Sequence, residues 1–406
     1  MNILVLNCGS SSLTFKAFAV DDSEIIHEIL SGKANRVSVK GTEPSSVEIR
    51  FESKTHKKTL PIENHRIAAA LAFKAILGHG IVIHCIGHRF VHGGSYFKGS
   101  TFIDKDTFEK LNRCQPLAPI HNPVALSVIK EAQKYFPVVP HYVVFDSAFH
   151  HSLPSYAYVY ALPRRLTETF GFRKYGFHGI SYSSVTEEIS RLFGGASEKL
   201  KVIVCHLGTG GSSVAAIKGN RSLDTSMGYS PLQGLMMSTR CGDIDPMLAI
   251  YLMTVHGYRS DDLMEIFSKK SGILGISGFS SDIRDIIKRI SDNEEEQAEL
   301  ALNMYIHRLR KYIGAYVAVL GGVDVLVFTD DIGVHNWLVR EKVCEEMGWC
   351  GVKLDIDLNR QAVTDAVARL QSKDSRAAIL SIPTREELVI CREGVKLLKH
   401  SNDIAF

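Results

Sequence analysis

Long apolar runs are missing from this sequence. None reaches the roughly 18 residues of a membrane span, and the N-terminus lacks the basic and apolar regions of an export signal. Charge of one sign is equally scarce: 47 Lys and Arg stand against 44 Asp and Glu, net +3 over 406 residues, with no basic run. That balance argues against nucleic acid and against a membrane surface as partner. The eight cysteines form no C-x-x-C pair, and Cys8, Cys85 and Cys205 sit in or beside apolar strands. Buried reduced thiols fit this better than disulfides or zinc. No low-complexity tract and no G-x-x-x-x-G-K-[ST] phosphate loop occurs. A soluble, cytoplasmic protein is expected, and 45% hydrophobic residues over this length allow two domains.

What is present concentrates between His206 and Pro246. Lys201 to Leu207 reads as a buried strand that ends in the turn Gly208-Thr209-Gly210-Gly211, with Ser213 to Ile217 extended again. Glycines there let backbone N–H groups approach an anion. The turn lies between two strands, which departs from the strand-to-helix context of a Rossmann turn. Arg240 follows, close before Asp243 and Asp245, and a permanent cation beside carboxylates suits a phosphoryl group with a metal ion. Taken alone, the same span also reads as a glycine hairpin with a surface ion pair.

The design recurs at the start. Asn2 to Asn7 is an apolar strand, Cys8 to Ser12 a small polar turn, and Leu13 to Val20 is extended, so two related halves are expected. Between the two turns lie a polar strand-like segment from Val37 to Pro61, a helix from Asn64 to Leu77, and a buried strand from Ile81 to Arg89. A buried strand that ends in arginine delivers it to a site or an interface. Prolines flank His121 ahead of a helix from Pro123, which leaves that histidine open to a helix-terminus role. Tyr142 to Phe145 ends in Asp146, where open α/β sheets place chemistry. Ser184 with Glu187 has the spacing of a capping box, Asp245-Pro246 opens a helix, and Ser271 to Arg284 reads as a glycine/serine-rich packed loop. A long helix from Glu294 to Leu320, a strand from Val325 to Thr329 and a strand from Ala377 to Ile382 complete the pattern.

NCGSSS, GHRFVHGG, APIHNP, FDSAFH, KYGFHG, HLGTGGSS, DTSMG, STRCGDIDP, SGILGISGFSSDIRD and the Thr384 to Glu387 turn occur in the order found in acetate kinases and related short-chain carboxylate kinases. The resemblance covers nearly the whole chain. It implies an α/β fold of two actin-like (ribonuclease H-like) βββαβαβα domains around a central cleft, with residues 1–148 and the tail 386–406 in one and 149–385 in the other. It also implies a homodimer and reversible phosphoryl transfer between acetate or acetyl phosphate and a phosphate partner, with Mg²⁺ or Mn²⁺. By resemblance Arg89 and Arg240 hold the acyl carboxylate and the phosphoryl, His178 with His121 donates to the phosphoryl, and Asp146 is the catalytic acid. Asn7 contacts phosphate and, with Glu386, the metal. Val91, Ile120, Phe177 and Pro231 resemble the pocket for the acyl methyl. Ser10, Ser12, Lys16, His206, Gly208, Thr209, Gly210 and Gly211 fall on the phosphate turns, and Asp282, Ile283, Arg284, Asp331 and Gly333 on the nucleotide side.

The departures bear on the donor. The family's lysine after the first turn is Thr14 here, with Lys16 two residues on and on the same strand face. Where ATP-using members carry A-G-I-G-E-N, this chain reads Asp330-Asp331-Ile332-Gly333-Val334-His335. A carboxylate at Asp331 takes purine space and faces a polyphosphate. The pattern is similar to the branch that uses pyrophosphate and phosphate in place of ATP and ADP. An ATP-dependent acetate or propionate kinase and a non-catalytic actin-like binding protein are the alternatives.

Overall fold

The computed structural model describes residues 1–39, 44–291 and 296–404. The chain divides into two compact units, Met1–Phe149 with Arg385–Phe406, and His150–Thr384. Each is built on one mixed sheet.

In the first unit the strands are β1 (Asn2–Cys8), β2 (Ser12–Val20), β3 (Ile26–Asn35), β4 (Ser46–Phe51), β5 (Lys54–Thr59), β6 (Cys85–Phe90), β7 (Thr101–Phe102) and β8 (His141–Phe145). In the second they are β9 (Lys201–Leu207), β10 (Ser212–Lys218), β11 (Arg221–Thr225), β12 (Val325–Thr329), β13 (Ala368–Arg369) and β14 (Ala378–Ile382). The sheets run β5-β4-β3-β2-β1-β6-β8-β7 and β11-β10-β9-β12-β14-β13. Both therefore contain an antiparallel three-strand meander whose first strand pairs in parallel with a fourth strand, which pairs in parallel with a fifth: β3-β2-β1-β6-β8 and β11-β10-β9-β12-β14. This is the duplicated actin-like, ribonuclease H-like α/β architecture.

The turns repeat with the strands. Gly9 N–H donates to Ser12 O at 2.9 Å, and Gly208 N–H donates to Gly211 O at 3.1 Å. Asn7 pairs across to Thr14, and His206 across to Ser213, so each turn is entered by a polar side chain two residues before its glycine.

Apolar residues on both faces explain why the central strands are buried. Leu4, Leu6, Leu13 and Phe15 join Ala68, Phe73 and Ile76 of the helix His65–Gly78 in one core. Ile203, Cys205, Leu326 and Phe328 join Leu302, Leu309 and Ile313 of the helix Glu296–Leu320 in the other. Six of the eight cysteines are buried, and all are free. Asn64 caps the first helix, its side chain accepting from Ile67 N–H, and Asp245 caps Pro246–Thr254 by accepting from Met247 N–H.

Several local expectations need correction. Ser184 and Glu187 lie inside the helix Gly179–Phe193, which starts earlier because His178 turns the chain at φ +58. The Ser271 to Arg284 segment is not one loop. It contains the helix Gly272–Ser277, anchored by buried Ile273, and enters another at Ile283–Ser291. The buried strand ahead of Arg89 begins at Cys85, not Ile81, and continues to Phe90. Part of the Val37 to Pro61 segment and Glu294 lie outside the described residues.

The helix Glu386–Ile404 returns to the first sheet through Tyr142. The phenol donates to Ile390 O at 2.8 Å, and its ring lies 2.4 Å from where a Cβ at Gly87 would stand and 2.5 Å from one at Gly394. Both positions therefore need glycine. Gly394→Val is expected to destabilise the protein by about 1 to 3 kcal/mol through overpacking, read as a lower urea midpoint. An unchanged midpoint would show that Tyr142 yields at no cost.

Candidate active site

The first unit gathers its charged residues at the ends of β1, β6 and β8. Arg89 Nε donates to both Asp146 oxygens at 3.1 and 3.2 Å, and Nη2 donates to Asp146 Oδ2 at 2.7 Å. Arg89 Nη1 donates to Asn7 Oδ1 at 3.0 Å and lies 3.9 Å from Glu386. Asn7 Nδ2 in turn donates to Glu386 at 3.0 Å and to Glu387 at 2.8 Å. Burial alone would lower the Arg89 pKa, but Asp146, Glu386 and Glu387 outweigh it and raise it. One guanidinium thus faces three carboxylates, and three of its five N–H donors are engaged in hydrogen bonds among the described residues.

In the second unit the glycine turn meets a cation of the opposite kind. Arg240 Nη2 donates to Gly210 O at 3.2 Å and Nη1 to Pro231 O at 3.1 Å, with Met237 Sδ at 3.7 Å. Among the described residues no carboxylate pairs with it, and burial lowers its pKa. Asp243 and Asp245, expected as its neighbours in a metal-phosphoryl site, are committed elsewhere. Asp243 accepts from Tyr312 and from Gly234 N–H, and Asp245 caps a helix.

His178 faces the same turn. A Cβ at Gly211 would stand 3.2 Å from Arg240 Nη1 and 3.6 Å from His178 Nε2. His178 Nδ1 lies 2.8 Å from Ser213 Oγ, which is 2.5 Å from the Tyr182 hydroxyl. The His206 ring stacks on His178 at 4.0 Å between centroids, with Nδ1 2.9 Å from Ser181 Oγ and Nε2 3.1 Å from Asp330. The carboxylate of Asp330 presses on Gly208, where a Cβ would come within 2.1 Å of Oδ2. An arginine, a histidine and a glycine turn thus converge with no carboxylate on the guanidinium, an arrangement that attracts an anion.

The other expected site residues divide. Ser10 and Ser12 lie on the first turn, where His65 Nε2 is 3.0 Å from Gly9 O. Lys16 is taken up by Glu28 at 2.9 Å. Val91 and Phe177 are buried, whereas Ile120 is exposed. His121 starts the helix Asn122–Tyr135 but its side chain makes no capping bond. Asp282 is clamped by Arg284 through Nε and Nη2, and the Ile283 side chain lies in the core, which leaves only its backbone for a ligand. Gly333 is buried against Phe328 and Cys205. Thr209 accepts from Ser238. Asp331 is 45% exposed and lies 3.4 Å from His335.

Sequence reasoning missed Glu387, Ser181, Tyr182, Ser213 and Asp330 as site members, because their roles lie in side-chain contacts between elements far apart in the chain. It also missed Asn122, whose buried amide donates to His92 O and Cys114 O and fixes the turn after Arg89. Its place just ahead of Pro123 at a helix start was the available signal.

The acetokinase family matches residues 2–392. The chain belongs to this family. An acetate kinase of Clostridium kluyveri is 40% identical over 400 residues, 97% of this chain and 96% of that protein. One from Acetivibrio thermocellus is 41% identical over 411 residues, 98% and 100%. The crystal structure of acetate kinase from Entamoeba histolytica superposes with TM-score 0.88 at 40% identity, covering 98% of this chain and all of that one. A propionate kinase from Francisella tularensis gives 0.87 at 34%, covering 97% and 98%. The acetokinase chain described here is accordingly a phosphotransferase with a carboxyl group as acceptor.

In this acetokinase Phe177, one residue ahead of His178, is held by buried His150, whose Nε2 lies 2.9 Å from Phe177 O and Nδ1 2.8 Å from Ser222 Oγ. Burial lowers the His150 pKa to about 4. An unfolded histidine titrates near 6.5, so the unfolded chain binds the extra proton and stability falls as pH drops from about 6.5 to 4. The slope from this one group is about 1.4 kcal/mol per pH unit. Urea midpoints between pH 7.5 and 5 should fall more steeply for the wild type than for His150→Asn. Equal slopes would show that His150 is not held neutral.

Proposed function

We propose that this acetokinase moves a phosphoryl group reversibly between acetyl phosphate and inorganic phosphate, giving acetate and pyrophosphate. The single observation that supports phosphoryl transfer most strongly is Arg240, a guanidinium beside the glycine turn with only carbonyl and thioether acceptors around it. An acetate carboxylate is already ionised at neutral pH. It needs no base, only neutralisation of charge as two anions approach in line.

In the proposed roles Arg240 and His178 take the transferred phosphoryl at Gly208–Gly211, and the remaining donors of Arg89 take the acyl carboxylate. Asp146, expected as the catalytic acid, accepts from Arg89 through both oxygens, a geometry that orients the guanidinium. Val91, Ile120, Phe177 and Pro231 receive the methyl. Such a pocket favours acetate, and one methylene changes the fit by only about 1 to 3 kcal/mol, too little to reject propionate outright.

The donor set around Asn7 fits a hard divalent cation. Asn7, Glu386 and Glu387 offer oxygens in one bonded cluster. Among the described residues no three His, Cys, Asp or Glu side chains are arranged to hold a metal by themselves. Mg²⁺ uses one or two carboxylates together with substrate phosphates. Asn7 and Glu386 would hold Mg²⁺ or Mn²⁺, which supplies charge neutralisation on the phosphates.

The reading of phosphate over ADP is supported by Asp330 and Asp331, two carboxylates at the positions that correspond by resemblance to the small A-G of ATP-using members. Asp330 lies against the turn and Asp331 lies near enough to Arg284 to raise its pKa, behind the nearer Asp282. ATP is the second reading, because Arg284 is 68% exposed on the nucleotide side. Parallel assays of acetyl phosphate with Mg²⁺ and either phosphate or ADP decide between them. Pyrophosphate without ATP is expected; ATP alone would replace this reading with an ordinary ATP-dependent kinase.

The reading includes a cytoplasmic homodimer. All eight cysteines are free, and among the described residues no helix is long and apolar enough to cross a membrane. The apolar helix Pro246–Thr254 buries no residue: Met247 is 59% and Tyr251 53% exposed. A second copy covers such a face. Sedimentation should find a wild-type dimer and an Ile250→Glu/Tyr251→Glu monomer. A dimeric variant would place the interface elsewhere.

A further inference from the structure

We propose that Asp330 is a positioning residue for His178, acting through His206. The inference deepens the reading above, because it takes His178 as a donor to the transferred phosphoryl.

The parallel register of β12 and β9 sets Thr329 beside His206. The next residue, Asp330, therefore emerges beside the glycine turn. Its backbone is left-handed, at φ +64, and His178 is left-handed at φ +58. A non-glycine residue in this region is strained, and such residues persist where the surroundings hold them. Here both contact one imidazole, that of His206, Asp330 at a ring nitrogen and His178 by stacking on it.

His206 is held at both ring nitrogens. Asp330 Oδ2 lies 3.1 Å from Nε2, which fixes the Nε2–H form, and Ser181 Oγ lies 2.9 Å from Nδ1. Ser181 stands on the first turn of the helix Gly179–Phe193, whose N-terminal flank is His178 itself. The chain of contacts thus runs from carboxylate to imidazole to hydroxyl, and ends on the helix that carries the donor. The stacked rings add a second contact, 4.0 Å between centroids and 29° from parallel. Ser213, opposite His206 in the β9–β10 register, fixes Nδ1 of His178 at 2.8 Å. The outcome is a ring held from behind by His206 and from the side by Ser213, with Nε2 toward Gly211.

The same carboxylate also accounts for Gly208. Any side chain there would collide with Asp330 Oδ2 at 2.1 Å. Outer partners that orient a metal-ligating histidine through its second nitrogen are worth about 10- to 100-fold when removed, a scale taken here for Asp330, which sits one imidazole back from His178.

The test uses the full chain with Mg²⁺, acetyl phosphate and whichever phosphate acceptor it turns over. Asp330→Gly removes the carboxylate without penalty at a left-handed position. It is expected to lower kcat about 10-fold or more while KM for acetyl phosphate stays within about 3-fold. Asp330→Asn keeps an oxygen for the Nε2–H and should recover most of the loss. In a His178→Ala background, Asp330→Gly should cost less than about 3-fold further. A full multiplicative loss in the double variant, or an unchanged kcat in Asp330→Gly, would overturn the proposal. Wild-type kcat in His178→Ala alone would instead remove the donor role of His178, and the proposal with it.

Discussion

A guanidinium that faces only carbonyls and a thioether is the constraint on which the second unit's site depends. Drawing a cation partly out of water without a carboxylate is unfavourable unless an anion completes the shell, and Arg240 is half-buried. Arg240 is held in that state by Gly210 O and Pro231 O, so its direction is fixed while its charge stays uncompensated. Arg89 shows the opposite arrangement, one cation among Asp146, Glu386 and Glu387. The first unit therefore gathers carboxylates around its cation, which suits a metal, and the second holds a guanidinium with no carboxylate paired to it among the described residues, which suits a phosphoryl. Neither needs a proton acceptor, which matches a reaction whose nucleophile is ionised from the start.

Both sets rest on one piece of topology used twice. The meander and two parallel strands put a tight turn at one end of each sheet, with Asn7 entering one and His206 the other. Neighbouring strand ends then deliver Arg89 and Asp146 in the first sheet and Asp330 in the second. Glycine is needed at Gly208 because a carboxylate from the next strand already fills the space of a side chain.

The sequence carried much of this. Apolar β-branched runs marked β1, β9 and β12, Asn64 and Asp245 announced their helices, and the repeated strand-turn-strand spacing pointed to two related halves. The arginines, the glycine turn and the histidines were also visible as residue types. Their partners were not. Asp243 and Asp245 stand near Arg240 in the chain yet turn to Tyr312, Gly234 and Met247, because loop geometry and not spacing decides direction. Lys16 is on the expected strand face, but Glu28 across the sheet claims it. Asp330 was legible only as a departure from its relatives; that it reaches His206 and Gly208 follows from the β12–β9 register, which no local pattern encodes. Ser184 had the spacing of a cap and lost it to the left-handed His178.

The most direct measurement is the turnover of acetyl phosphate by Arg240→Ala, with its thermal midpoint recorded beside the wild type. A folded variant whose kcat/KM falls by about 100-fold or more, corresponding to about 2.7 kcal/mol of lost transition-state stabilisation, is the predicted result. A folded variant within a few-fold of wild type would mean that the uncompensated guanidinium is not where the phosphoryl group is held.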